Sequence, residues 1–142
     1  MYKRSEDTFR GSDNVELYYQ EWCPTNLPSG QQAPAGTLVI THGQAEHSEC
    51  YLRLVEGIAA LNWRIVAWDL RGHGRSEGKR GYAQSIDEYV RDMSLFCSRV
   101  MPKYQGHHFY LGHSLGGLIQ MSLFVEEQIP HLGLAFSAPL FG

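Results

Sequence analysis

Four short apolar runs recur along the chain, and each is separated from the next by a segment patterned for a helix. The runs are Thr37–Thr41, Arg64–Trp68 and residues 108–111 and 132–138. They are rich in β-branched and large apolar residues and nearly continuous, as strands are when both faces of a sheet are covered. Between the first two, Tyr51, Leu54, Val55, Ile58 and Ala59 recur at helical spacing. Between the second and third, Ile86, Tyr89, Val90, Met93, Cys97, Val100 and Met101 form one stripe. Ser85 and Glu88 before it fit a capping box, and Pro102 ends it. Residues 115–125 are apolar nearly all round, as a buried helix would be. Such alternation predicts a mainly parallel α/β sheet with helices on both faces.

Ahead of this series, residues 15–22 mix aromatic and polar side chains. They are expected to pair with residues 7–10 as an antiparallel hairpin across Gly11-Ser12-Asp13-Asn14. Residues 24–36, rich in Pro, Gly, Gln and Ser, read as a surface loop. The predicted order is therefore a hairpin followed by β-α-β-α-β-α-β.

Composition narrows the function. The chain has 142 residues, enough for one domain and one core. A net charge of −3 argues against a nucleic-acid binder, which normally carries a basic excess. No apolar run approaches the length of a membrane span, and the polar start of the chain has no apolar signal region. Cys23, Cys50 and Cys97 are odd in number and lack a Cys-x-x-Cys pair, so neither a disulfide framework nor a zinc ribbon is suggested. A reduced, cytoplasmic setting is expected.

In α/β sheets of this kind, ligands bind beyond the C-terminal ends of the strands. Those ends are His42-Gly43, Asp69, Gly112 and Pro139. Gly112-His113-Ser114-Leu115-Gly116 matches G-x-S-x-G, and it lies between a predicted strand and a predicted helix. The pattern alone is weakly specific; that position is what the chemistry needs. A sharp turn there holds the serine hydroxyl clear of the backbone, and small flanking residues let strand and helix approach. Ser114 is therefore the candidate nucleophile. His42-Gly43-Gln44-Ala45-Glu46-His47 is the candidate oxyanion loop. The backbone amides of Gln44 and Leu115 would be its two donors. The spacing H-x-x-x-E-H fits none of the helical zinc motifs. Asp69-Leu70-Arg71-Gly72-His73-Gly74-Arg75-Ser76 lacks a nucleotide fingerprint and is expected to be a scaffold loop.

Together these blocks resemble the α/β-hydrolase superfamily. Thr41 to Ser48, Asp69 to Gly78, and Gly112 to Gly117 are similar to its lysophospholipase and monoacylglycerol lipase branch. The resemblance covers essentially the whole chain. It implies that Ser114 is the nucleophile and that the amides of Gln44 and Leu115 form the oxyanion hole. His42, Gly43, Glu46, Gly112 and Gly116 would shape the loops around them. It also implies cleavage of an acyl ester of a monoacylglycerol or lysophospholipid, without a cofactor. A lipid substrate is compatible with transient membrane contact.

One departure is large. The triad of this fold runs nucleophile, acid, histidine. After Ser114 the chain holds only Glu126, Glu127 and His131, at the wrong ends of their elements for a site at the strand C-termini. His113 is adjacent to Ser114 on the turn and is expected to point elsewhere. Residues 1–142 are thus expected to be the N-terminal part of a single α/β-hydrolase domain. The C-terminal strands, cap, triad acid and histidine would lie in a complementary C-terminal fragment. Alone, the chain is expected to be inactive, with residues 132–138 as an open apolar edge prone to pairing. Two alternatives remain: a general carboxylesterase or thioesterase, and a non-catalytic binding protein on the same fold.

Overall fold

The N-terminal hairpin is longer than its sequence pattern suggests. In the computed structural model, which describes residues 1–141, β1 (Tyr2–Arg10) pairs antiparallel with β2 (Glu16–Pro24) along their full lengths. The outer strand is mostly exposed and polar, so its first half carries no apolar signal. Asp13 and Asn14 turn the chain with φ of 56° and 59°, a conformation these two residue types tolerate.

Four parallel strands follow. They are β3 (Thr37–Thr41), β4 (Arg64–Trp68), β5 (His108–His113) and β6 (Gly133–Ser137). The sheet order is β1-β2-β4-β3-β5-β6, with β2 antiparallel to β4. From β3 the chain moves outward to β4, then crosses back to β5 on the other side of β3. The β3–β5 crevice is therefore the switch point at which such sheets bind ligands.

Strand residues alternate between two apolar layers. Trp22, Ile40, Ile65 and Ala67 pack with Val55 of helix α1 (Leu52–Gly57). Val39, Val66, Trp68 and Tyr110 pack with α2 (Ile86–Arg99) and α3 (Leu115–Glu126). The expected helices on both faces are present. Phe9, Tyr19, Trp68 and Phe96 form an aromatic cluster, with Trp68 and Phe96 stacked at 5.6 Å between centroids.

Three local expectations are corrected. The helix expected around residues 51–59 is one short α segment between two 3-10 turns, Ser48–Tyr51 and Ala59–Leu61. The Ser85 side chain caps nothing: the Glu88 carboxylate accepts the Gln84 N–H at 2.6 Å instead, while its other oxygen lies 3.1 Å from Arg71. The Arg71 guanidinium thus competes for the carboxylate a capping box would use. The buried face of α2 also includes Phe96 and Asp92, both fully buried. At the sheet edge, β6 leaves Phe136 partly exposed, next to exposed Leu132, Leu140 and Phe141. Among the described residues, no helix is long and apolar enough to cross a membrane.

Candidate active site

Ser114 joins β5 to α3 with φ 50° and ψ −114°, a conformation that non-glycine residues rarely adopt. Such strain costs about 1–3 kcal/mol and persists only where the surroundings over-determine it. Here they do. The Ser114 N–H donates to Ser137 O at 3.0 Å, and its carbonyl accepts from Gly117, Leu118 and Leu140 at 3.0–3.2 Å. The flanking glycines are required by contact. A Cβ on Gly112 would lie 2.7 Å from Gly116 O and Gly117 Cα. A Cβ on Gly116 would strike the Thr41 carbonyl and lie 2.6 Å from His42 O. Leu115 is the first residue of α3, so its N–H has no acceptor within the helix.

The loop after β3 approaches this turn directly. A Cβ on Gly43 would lie 3.1 Å from Ser114 Cβ and 3.2 Å from His113 Cδ2. Residues 43–46 form a turn closed by Glu46 N–H to Gly43 O at 3.3 Å, with Ala45 at φ 61°. The Gln44 N–H donates to no acceptor among the described residues. Glu46 Oε2 accepts the Gly43 N–H at 2.9 Å and the Tyr51 hydroxyl at 3.0 Å. Burial alone would raise the Glu46 carboxyl. The bonds from Gly43 and Tyr51, with the nearby His113 and His42 rings, outweigh it and hold the group below its ordinary pKa. The Tyr51 phenol is pushed up, by burial first and by the Glu46 carboxylate second.

His42 is wholly buried behind this loop. Its Nε2 accepts the Leu70 N–H at 3.0 Å, so Nδ1 carries the proton and donates to Gly43 O at 2.7 Å. Burial pushes its pKa down to about 4, which keeps the ring neutral at pH 7. The Asp69 carboxylate accepts the Ser48 N–H at 2.7 Å and the Arg75 N–H at 2.9 Å, tying two loops together. Residues 69–76 hold the loops in place, as expected of a scaffold. Arg71 and His73 are buried within the loop, and Arg71 fixes it through a two-point pair with Asp92 at 2.6 and 2.8 Å. The His73 ring lies 5.3 Å from His42 between centroids.

The structure thus brings Ser114, Leu115, Gly43 and the Gln44 turn to one place, supported by His42 and Glu46. It does not bring the other candidates there. His113 Nδ1 contacts Ser137 O at 3.0 Å and Ser137 Oγ at 3.2 Å. Glu127 accepts from Ser94 Oγ at 3.0 Å, and His131 packs on Phe124 with its centroid 4.6 Å away. The following residue, Leu132, bonds His108 at the start of β5. At strand rise that is roughly 20 Å from Ser114. Among the described residues, no imidazole or carboxylate hydrogen-bonds the Ser114 hydroxyl, and no His, Cys, Asp or Glu cluster of metal-binding form occurs.

Tyr51, Gly81 and Asp92 carry no site signal in the sequence, where Tyr51 reads only as an apolar position of a helix. Only Asp92 leaves a trace, as a carboxylate beside Met93 on an otherwise apolar face. The Tyr51 hydroxyl reaches Glu46 within the same loop, and Gly81 O accepts the Gln44 side-chain amide at 3.1 Å from the next loop; neither contact has a sequence pattern.

Residues 32–142 match the family model described as serine aminopeptidase, S33. The chain is 36% identical over 140 residues to a monoacylglycerol lipase of Mycolicibacterium smegmatis, covering 96% of this chain and 47% of that protein. It is 31% identical over 130 residues to the monoglyceride lipase of Homo sapiens, covering 91% and 41%. Among solved structures, a thermostable carboxyl esterase from Bacillus coagulans in complex with glycerol matches with a TM-score of 0.79 at 20% identity. That match covers 96% of this chain and 44% of the esterase. The chain spans less than half the length of each of these three proteins.

Proposed function

The chain belongs to the serine aminopeptidase, S33 family of α/β-hydrolases, and on that footing we propose that it carries the nucleophile and oxyanion hole of a serine ester hydrolase. Its preferred substrates are acyl esters of monoacylglycerols or lysophospholipids. The observation that carries this proposal is the strained Ser114 turn held directly against Gly43 of the neighbouring loop.

In the proposed reaction, Ser114 Oγ attacks the ester carbonyl. Its proton passes to a histidine outside the described residues. The amides of Gln44 and Leu115 receive the oxyanion, and the position of Leu115 at the start of a helix adds favourable field there. The histidine gives that proton to the departing alcohol, the acyl group stays on Ser114, and water, deprotonated in its turn by the histidine, releases it as the acid. Residues 1–142 would act as the N-terminal portion of one α/β-hydrolase domain. The triad acid, the histidine and the substrate cover would come from a complementary C-terminal segment that pairs along β6. The exposed Leu132 and Phe136 at that edge fit such pairing. Contact with a membrane would be transient and would serve substrate entry.

The absence of an imidazole partner for Ser114 among the described residues favours one second reading, a binding protein that does not turn over. Hydrolysis separates the two. The full-length protein is assayed on monoacylglycerols, lysophospholipids, thioesters and aminoacyl amides, with Ser114→Ala in parallel. Turnover of the glycerol or lysophospholipid esters that vanishes in Ser114→Ala is expected. Binding without turnover of any of these compounds would establish the second reading, and preference for thioesters or amides would replace the proposed substrate class.

A further inference from the structure

The Gln44 side chain reaches away from its own turn. Its Nε2 donates to the Gly81 carbonyl at 3.1 Å. That carbonyl belongs to a closed frame. Gly81 N–H donates to Gly72 O at 2.8 Å, and Gly72 N–H donates to Glu77 O at 2.8 Å. The Arg80 guanidinium bonds the carbonyls of Gly74 at 3.0 Å and of Ser76 across the same loop. A Cβ on Gly72 would strike the Lys79 carbonyl, so the frame closes only around glycine. At its base, the Arg71–Asp92 pair fastens the loop to α2.

The Gln44 amide lies in the middle of a turn whose two neighbours are already held. On one side Gly43 is held by Glu46, and on the other the Glu46 N–H closes the turn on Gly43 O around Ala45. The carbonyl end of the peptide plane that carries the Gln44 N–H is held from within, since Gly43 O accepts from His42 Nδ1 at 2.7 Å and from Glu46 N–H at 3.3 Å; on the exposed side, the Gln44 side chain supplies the described hold. We propose that the Gln44 side chain is a positioning group. By bonding Gly81 O it completes, from the exposed side, the hold that His42 gives the same peptide plane from within, so that the backbone N–H keeps its direction, and it makes residues 72–81 part of the oxyanion apparatus. An oxyanion donor acts only when it is aimed beforehand at the place where charge develops. The inference rests on the reading of Ser114 and the Gln44 amide given above.

The test compares Gln44→Ala, Gln44→Glu and Ser114→Ala in the full-length protein, on a monoacylglycerol ester. Gln44→Ala keeps the amide and loses the tether. Its kcat is expected to fall about fivefold to tenfold, the worth of one neutral hydrogen bond, with KM unchanged. Because the residue is exposed, its Tm is expected to stay within about 2 °C of wild type. Gln44→Glu places a carboxylate against the Gly81 carbonyl, and only its protonated form can donate. The ratio of its kcat to that of wild type is therefore expected to rise as the pH falls toward about 5. A Gln44→Ala kcat within twofold of wild type, or a flat Gln44→Glu ratio, overturns the tether while loss of activity in Ser114→Ala leaves the catalytic reading intact. Activity that survives Ser114→Ala overturns the catalytic reading itself.

Discussion

The Glu46 carboxylate grips the backbone of Gly43, accepting its N–H at 2.9 Å, and the same oxygen takes the Tyr51 hydroxyl at 3.0 Å. One carboxylate thereby sets the entry to the turn at residues 43–46. Glu46→Ala leaves the Gly43 N–H unpaired and is expected to lower kcat of the full-length protein more than tenfold. Glu46→Gln, whose amide oxygen can still accept, is expected to fall less. Tyr51→Phe removes one hydrogen bond and is expected to cost about 1 kcal/mol of stability, read from urea unfolding. Equal kinetics for Glu46→Ala and wild type would remove Glu46 from the account.

Ala45 occupies a left-handed position at φ 61°. A side chain there costs roughly 1–2 kcal/mol, and glycine recovers it at an entropic cost of about 0.4–1 kcal/mol. Ala45→Gly is expected to be neutral or to gain up to about 1 kcal/mol, whereas Ala45→Val is expected to lose stability. Thermal unfolding of the two variants beside wild type checks the sign.

Gly116 and Gly57 make a matched pair of substitutions. Gly116→Ala drives a methyl into the carbonyls of Thr41 and His42, and it is expected to cost more than about 3 kcal/mol or to prevent folding. Gly57 ends α1, and a Cβ there meets nothing within 4 Å. Gly57→Ala is expected to be tolerated and to gain up to about 1 kcal/mol from helix propensity. Soluble yield and unfolding midpoints read both.

Acid is expected to loosen the support behind the turn at residues 43–46. Burial lowers the His42 pKa from 6.5 to about 4, with Asp69 and Glu46 opposing that shift and His73 adding to it. Between those values the unfolded chain binds a proton that the folded chain does not. Stability is therefore expected to fall as the pH drops from about 6.5 to 4, by roughly 3 kcal/mol at most, and to stop falling from this source below that. Urea midpoints across this range measure it. His42→Asn, which can still donate to Gly43 O, is expected to show a shallower slope. An identical slope in that variant would assign the effect to another group.

The parts legible in the sequence are those carried by local pattern. The apolar runs mark β3 and β4 to the residue, because a strand covered on both faces is apolar through its middle, here between Thr37 and Thr41 and after Arg64. The Gly-x-Ser-x-Gly turn is legible because it must stand between strand and helix. The capping box at Ser85 and Glu88 fails because Arg71, distant in sequence, draws on the same carboxylate. The helix around Tyr51 shrinks to one short α segment between two 3-10 turns although its apolar spacing is helical, since periodicity reports the buried face and not the hydrogen-bond pattern. The Gly81 contact joins the loops after β3 and β4, whereas the Tyr51 hydroxyl reaches back to Glu46 within the loop after β3; neither pairing has a sequence pattern.

The central claim is that Ser114 is an activated nucleophile. A fluorophosphonate probe on the full-length protein, followed by mass spectrometry of the labelled peptide, tests it most directly. One adduct on Ser114, lost in Ser114→Ala and after heat denaturation, is predicted. Labelling that survives Ser114→Ala, or an intact protein that never labels, would contradict it.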